Sequence, residues 1–427
     1  MGVPANRILH LCLVAIIAAL MALSGQVQNH QPNTPRVAGW ADVFREPTTV
    51  PSLRSNSSSQ CVNCVIGEID VQAGPLGMAY DSGNGNIYVA NSERNSVSVI
   101  NGVSNTVVKT IAVGDWPLTV EYDSANGDLY VPNDFSDSVS VINGQTNTIV
   151  KNISVGFLPH DVVYDSDNND LYVTNARSDN VSVISGSTNV VIDSVPLVLG
   201  NNTLPSGLVY DGANGDIYVI CGPIGANPGP IKVISGSTNK VVTSINAGAG
   251  PDLGLYDSVN GDIYVTNTYS SNVTIISGAS NTVVGNISTG IGPIGIAYDS
   301  GDDDLYVVDS GNVSVISPAN DTTVALIKIG DEIPWYALYD SANGDIYVSN
   351  EEWFTVTVVT TPSSLVSPSS GKGFFGLPDD EGYYVLGGAV ALVAAGAIVV
   401  VLWRRRRTKQ GNSPPSSPPH LVRLPKT

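Results

Sequence analysis

A tyrosine returns along this chain at a nearly constant interval. Tyr80, Tyr122, Tyr164, Tyr210, Tyr256, Tyr298 and Tyr339 are separated by steps of 42, 42, 46, 46, 42 and 41 residues. Each is followed by an aspartate: Asp81, Asp123, Asp165, Asp211, Asp257, Asp299 and Asp340. Five residues before each stands a proline: Pro75, Pro117, Pro159, Pro205, Pro251, Pro293 and Pro334. A residue needed seven times serves the repeated structure rather than a single reaction. A period of about 40 to 45 residues, all strands and turns, is the signature of propeller blades.

Each of the first six copies carries four strand signals, with period-two alternation and β-branched enrichment. In the second copy these are 118–123, 128–133, 138–142 and 148–155. Asn126-Gly127 supplies the positive φ angles of a tight hairpin between the first two. The seventh copy stops after its third strand, at 355–360, whereas residues 65–71 resemble the outer strand 107–113. Residues 65–71 are therefore expected to complete the last blade and leave no open sheet edge at the seam. The expected fold is all-β: a seven-bladed β-propeller of four-stranded blades over 65–361, closed by an N-terminal strand, plus one C-terminal transmembrane helix.

The flanks read differently. Residues 1–25, with Arg7 before an apolar run at 8–23, have the pattern of a signal peptide. Residues 26–64 form a polar linker ending in Cys61-Val-Asn-Cys64, expected to close a small disulfide in an exported protein. Cys221 stands apart and is expected to be a buried thiol. A Pro/Ser/Gly spacer, 362–382, leads to 383–403, which holds no charged residue. At 1.5 Å per residue this run matches a bilayer core of about 30 Å. Tyr383, Tyr384 and Trp403 sit where interfacial aromatics belong, and Arg404 to Arg407 form a stop. The expectation is a single-pass cell-membrane protein with the propeller outside and a basic, disordered tail, 404–427, in the cytoplasm.

The formal net charge is -19, and residues 65–361 hold 33 Asp and Glu against 7 Lys and Arg. Such a surface repels phosphates, so no nucleic-acid partner is expected. The Asp-x-x-Asn-Gly-Asp turns offer oxygen ligands of the kind calcium takes, but without EF-hand spacing. They are read as turn chemistry, and no metal or cofactor is expected.

Tyr172-Val-Thr-Asn175 and Tyr264-Val-Thr-Asn267 are followed by strands such as Val181-Ser-Val-Ile184, and Thr106 to Gly114 fits the strand after those. On these motifs the chain resembles the YVTN-family, YncE-like seven-bladed propellers of the surface-layer type found in archaea and bacteria. That resemblance covers about 65–361 and implies binding and cell-surface roles, while relatives of the same fold are enzymes. It also implies that loops before the inner strand share one axial face with loops joining the second and third strands. That face would carry Trp116, His160, Asp161, Asp252, Trp335 and Tyr336 as the candidate ligand surface. Glu93, Arg94, Phe135, Arg177, Tyr269, Glu351, Glu352 and Trp353 would surround it.

Three functions fit. The first is a non-catalytic surface module binding a surface protein, a matrix or a glycan. The second is a lactonase-like or lyase-like enzyme at the channel mouth, with His160 as general base beside Asp161. The third is a structural envelope component. Asn-x-Ser/Thr sequons at Asn56, Asn152, Asn180, Asn201, Asn272, Asn286, Asn312 and Asn320 are candidate glycosylation sites.

Overall fold

The computed structural model describes residues 62–362, apart from 201–202, 224–226 and 331–333, together with the backbone of three strands between 383 and 402. The seven repeats form seven four-stranded antiparallel sheets. In the third blade the strands run from inner to outer as Pro159–Asp165, Asp170–Asn175, Asn180–Ser185 and Val190–Pro196. The two middle strands are almost wholly buried, because neighbouring blades cover both of their faces. One such core joins Tyr172, Val181 and Val183 of the third blade to Leu208, Ile217 and Val219 of the fourth. The outer strands have a neighbour on one side only, and most bury a single apolar residue, such as Ile153 or Val195. In the second blade the inner strand shortens to Glu121–Asp123, with Pro117 held by an isolated bridge to Asn133.

The seam closes as the missing strand demands. Cys64–Asp70 lies antiparallel to Thr355–Thr360, with Ile69 opposite Val356 and Cys64 opposite Thr360. Val71 N–H adds a bond of 2.8 Å to the Phe354 carbonyl. First and last blades are thus joined by main-chain hydrogen bonds.

The repeated residues hold each blade to its neighbour. Each turn aspartate accepts a backbone N–H two residues on, as Asp81 does from Gly83 at 2.8 Å and Asp340 from Ala342 at 2.8 Å. These carboxylates are turn caps, as expected. The second tyrosine of a blade reaches into the next one. Tyr88 donates to Asn147 Oδ1 at 2.6 Å, Tyr130 to Asn189 at 2.6 Å and Tyr172 to Asn239 at 2.7 Å. The ring continues through the seam, with Tyr306 donating to Asn63 at 3.1 Å and Tyr347 to Asn105 at 2.6 Å. The accepting asparagines sit at positive φ, such as 52° for Asn105 and 56° for Asn147, a conformation asparagine tolerates. At Gly102 and Gly186 a Cβ would stand 2.7 Å from Oδ2 of Asp340 and Asp123 in the adjoining blade. No side chain fits there.

Within the apolar run 383–403, expected to be a helix, the described backbone forms three antiparallel strands, Tyr383–Leu386, Ala389–Ala394 and Ala397–Leu402. Valine and isoleucine, frequent in this run, favour strands. Among the described residues no helix is long and apolar enough to cross a membrane. The signal peptide 1–25, the linker up to Cys61, the spacer 363–382 and the tail 404–427 lie outside the described residues.

Candidate functional site

Four positions separate each inner-strand proline from its tyrosine, and these are the residues nearest the axis. At the fourth of them six blades carry Ala, Val or Leu, and the second blade carries Glu121. At the second, the third blade carries Asp161 and the seventh Tyr336. The fold brings these three departures, some two hundred residues apart in the chain, to one cavity of about 320 Å³. Tyr164, Tyr210 and Tyr256 line it as well.

An inner strand is a sheet edge, so its N–H groups lack ladder partners. The two carboxylates supply some of them, each reaching into the next blade. Glu121 Oε1 accepts from Tyr164 N–H at 3.1 Å. Asp161 Oδ2 accepts from Leu208 N–H at 2.8 Å, and its Oδ1 from Val162 N–H at 2.9 Å. Both sit deep in the molecule and meet solvent through the cavity rather than at the outer surface. Burial pushes the Glu121 carboxyl from 4.5 up to about 8, with Asp161 adding to the shift and the Tyr164 N–H opposing it. Burial likewise lifts Asp161 from 3.8 to about 6, against the backbone bonds it accepts. The Tyr336 phenol is raised by burial first, then by Asp161 and Glu121, so the three groups feel one another. Carboxyls that titrate near neutrality suit proton exchange and cation recognition.

The other expected residues lie outside the cavity lining. His160 Nδ1 stands 3.2 Å from the Ser206 carbonyl of the next blade, and so donates to it when protonated. Asp252 is half-buried and raised to about 6 by burial, with Thr268 opposing. Trp335 donates through Nε1 to Glu351 at 2.5 Å. Glu351 itself is raised by burial, against that bond, and by Glu93 and Glu352. Trp116 packs against Phe135 with ring centroids 5.4 Å apart. Phe157 and Trp353 are 64% and 60% exposed, Tyr269 rests on Gly250, and Glu93, Arg94 and Arg177 are exposed.

Trp116 and Leu158 hold unusual backbone angles. The residue before the proline has φ of 73°, 64° and 65° in the first, fifth and sixth blades, where it is Gly74, Gly250 and Gly292. The second and third blades put Trp116 at 60° and Leu158 at 54° in the same place. A non-glycine residue held there costs about 1–3 kcal/mol.

Sequence reasoning placed Asp161 and Tyr336 in the site and missed Glu121. The signal was present: a charge at a repeat position that is otherwise apolar. Among the described residues no group of three or more His, Cys, Asp or Glu is set to hold a metal. Cys64 is disulfide-bonded, and its expected partner Cys61 lies outside the described residues. Cys221 is a buried free thiol, pushed up to about 12 by that burial.

A family model described as Arylesterase matches residues 137–298, less than half of the chain. No curated protein matches it. Among solved structures the chain is similar to hydrazine synthase of Kuenenia stuttgartiensis, with a TM-score of 0.61 and 19% identity. That match covers 68% of this chain and 97% of the other. At such identity the likeness establishes the fold alone, a β-propeller.

Proposed function

We propose that this is a non-catalytic cell-surface propeller of the YVTN, YncE-like kind, which binds a surface protein, a matrix or a glycan through its axial face. The observation that supports it is the backbone of Trp116. Three other blades place glycine at this position, yet the second blade keeps a strained tryptophan packed against Phe135. Backbone strain of this kind clusters at ligand clamps and active sites. Aromatic faces beside carboxylates suit sugars and cationic peptides. The test is a screen of the full chain on glycan arrays and matrix proteins, repeated with Trp116→Gly. Capture by the parent that the folded variant loses supports the reading. Equal capture by both sinks it.

A second reading is an esterase or lactonase at the channel mouth, favoured by the Arylesterase match, whose span contains His160, Asp161 and Asp252. Turnover of aryl esters and lactones by the parent, lost in His160→Ala, would establish it in place of the first.

The anchoring belongs to the same proposal. Residues 1–25 direct export, and 383–403 cross the bilayer with the arginines inside. In hydrocarbon an isolated three-stranded sheet would leave two edges of backbone groups unpaired, whereas a helix satisfies them all. Alkaline extraction from membranes tests this: release of the intact chain with peripheral proteins would remove the anchor.

A further inference from the structure

We propose that the rim of the disc is N-glycosylated at Asn152, Asn286 and Asn320, and that the sequons at Asn180 and Asn312 stay unmodified. Side-chain geometry separates the two sets. Asn152 and Asn286 occupy the same register on the outer strands of the second and fifth blades, each just before the one buried isoleucine of its strand. Both are exposed. Ser140 Oγ donates to Asn152 Oδ1 at 2.9 Å, and Thr274 Oγ1 to Asn286 Oδ1 at 3.0 Å. The amide oxygen is thereby turned toward the third strand, and Nδ2 is left facing outward. Asn320 is exposed in a hairpin turn.

The second set is tied into the sheets. Asn180 is half-buried, accepts from Asn175 Nδ2 at 2.9 Å and donates through its own Nδ2 to Ser194 at 2.8 Å. Asn312 donates through Nδ2 to the Ser310 carbonyl at 3.1 Å. A sugar on either of these would have to displace a bond that holds the blade. Folding selects against it.

In the transfer step Asn Nδ2 attacks the anomeric carbon of an oligosaccharide carried on a lipid pyrophosphate. The N–C bond forms and the C–O bond breaks. The nitrogen loses one proton, and the lipid pyrophosphate leaves with the bonding pair. The glycan has a clear physical effect here. Outer strands are sheet edges with unpaired backbone groups, and Val150, Val283 and Val284 beside these sites are 53%, 42% and 59% exposed. A hydrated sugar at that register keeps a second strand from pairing there.

The inference rests on the outward placement of the propeller. The full chain is produced in a glycosylating secretory host, its orientation read by external protease, and each sequon peptide weighed by mass spectrometry. Sugars at Asn152, Asn286 and Asn320, with none at Asn180 and Asn312, are expected. Asn152→Gln and Asn286→Gln should each remove one mobility step. A propeller that external protease reaches but whose rim asparagines are bare overturns the inference and leaves the placement standing. So does equal modification of Asn180. A propeller shielded from external protease removes both.

Discussion

Replacing Glu121 by glutamine isolates the energetics of the axial cavity. In the folded protein this carboxyl keeps its proton to about pH 8, whereas an unfolded chain releases it near 4.5. Between those values the folded state binds more protons, so stability must fall as pH rises. The contribution is fully present below 4.5 and lost through 8. At ~1.36 kcal/mol for each tenfold change in proton affinity, the gap approaches 5 kcal/mol. Cavity solvent screens part of that, leaving about 2–4 kcal/mol. Glutamine keeps an oxygen to accept the Tyr164 N–H at 3.1 Å but carries no charge at any pH. Glu121→Gln should therefore match the parent at pH 5 and exceed it at pH 9, by roughly 3–6 °C in Tm for a domain of this size. Thermal unfolding followed by circular dichroism at pH 5, 7 and 9 measures it. The loss between pH 4 and 6, to which Asp161 and Asp252 contribute, should persist in the variant, since both are raised from 3.8 to about 6. A variant that is destabilised by the same amount at every pH would refute the reasoning, because Glu121 would then act by packing alone.

Three further outcomes follow from the geometry. Trp116→Gly relieves backbone strain of about 1–3 kcal/mol and gives up an aromatic pair of about 0.5–1.5 kcal/mol, so its Tm should stay within about 4 °C of the parent while capture on the arrays disappears. Deleting residues 64–70 leaves Thr355–Thr360 as an open edge, and should replace one cooperative melt with a broad transition at lower temperature; an unchanged melt would mean the ring does not depend on its seam. His160→Ala should bind like the parent and leave any aryl-ester turnover at its original rate, whereas a drop of about 10²-fold or more would mark His160 as a general base.

The blade count, the strand order and the closing strand were all legible in the sequence. Each rests on local patterning repeated seven times, so no single irregular copy could mislead. The reason for the repeat was not legible, because Tyr88 to Asn147 and Tyr347 to Asn105 are contacts between blades that no one copy contains. The apolar run 383–403 carries two opposed signals: length and lack of charge suit a spanning helix, while its β-branched residues suit the strands described. The candidate site was half visible. Asp161 and Tyr336 stood out as departures from the repeat, but Glu121 hid in an alternating strand until the ring placed it beside them. Periodicity states what all blades share. Which few side chains meet at the axis, and how far burial there shifts their protons, depends on bringing seven distant strands together, and that was decided by the tertiary structure alone.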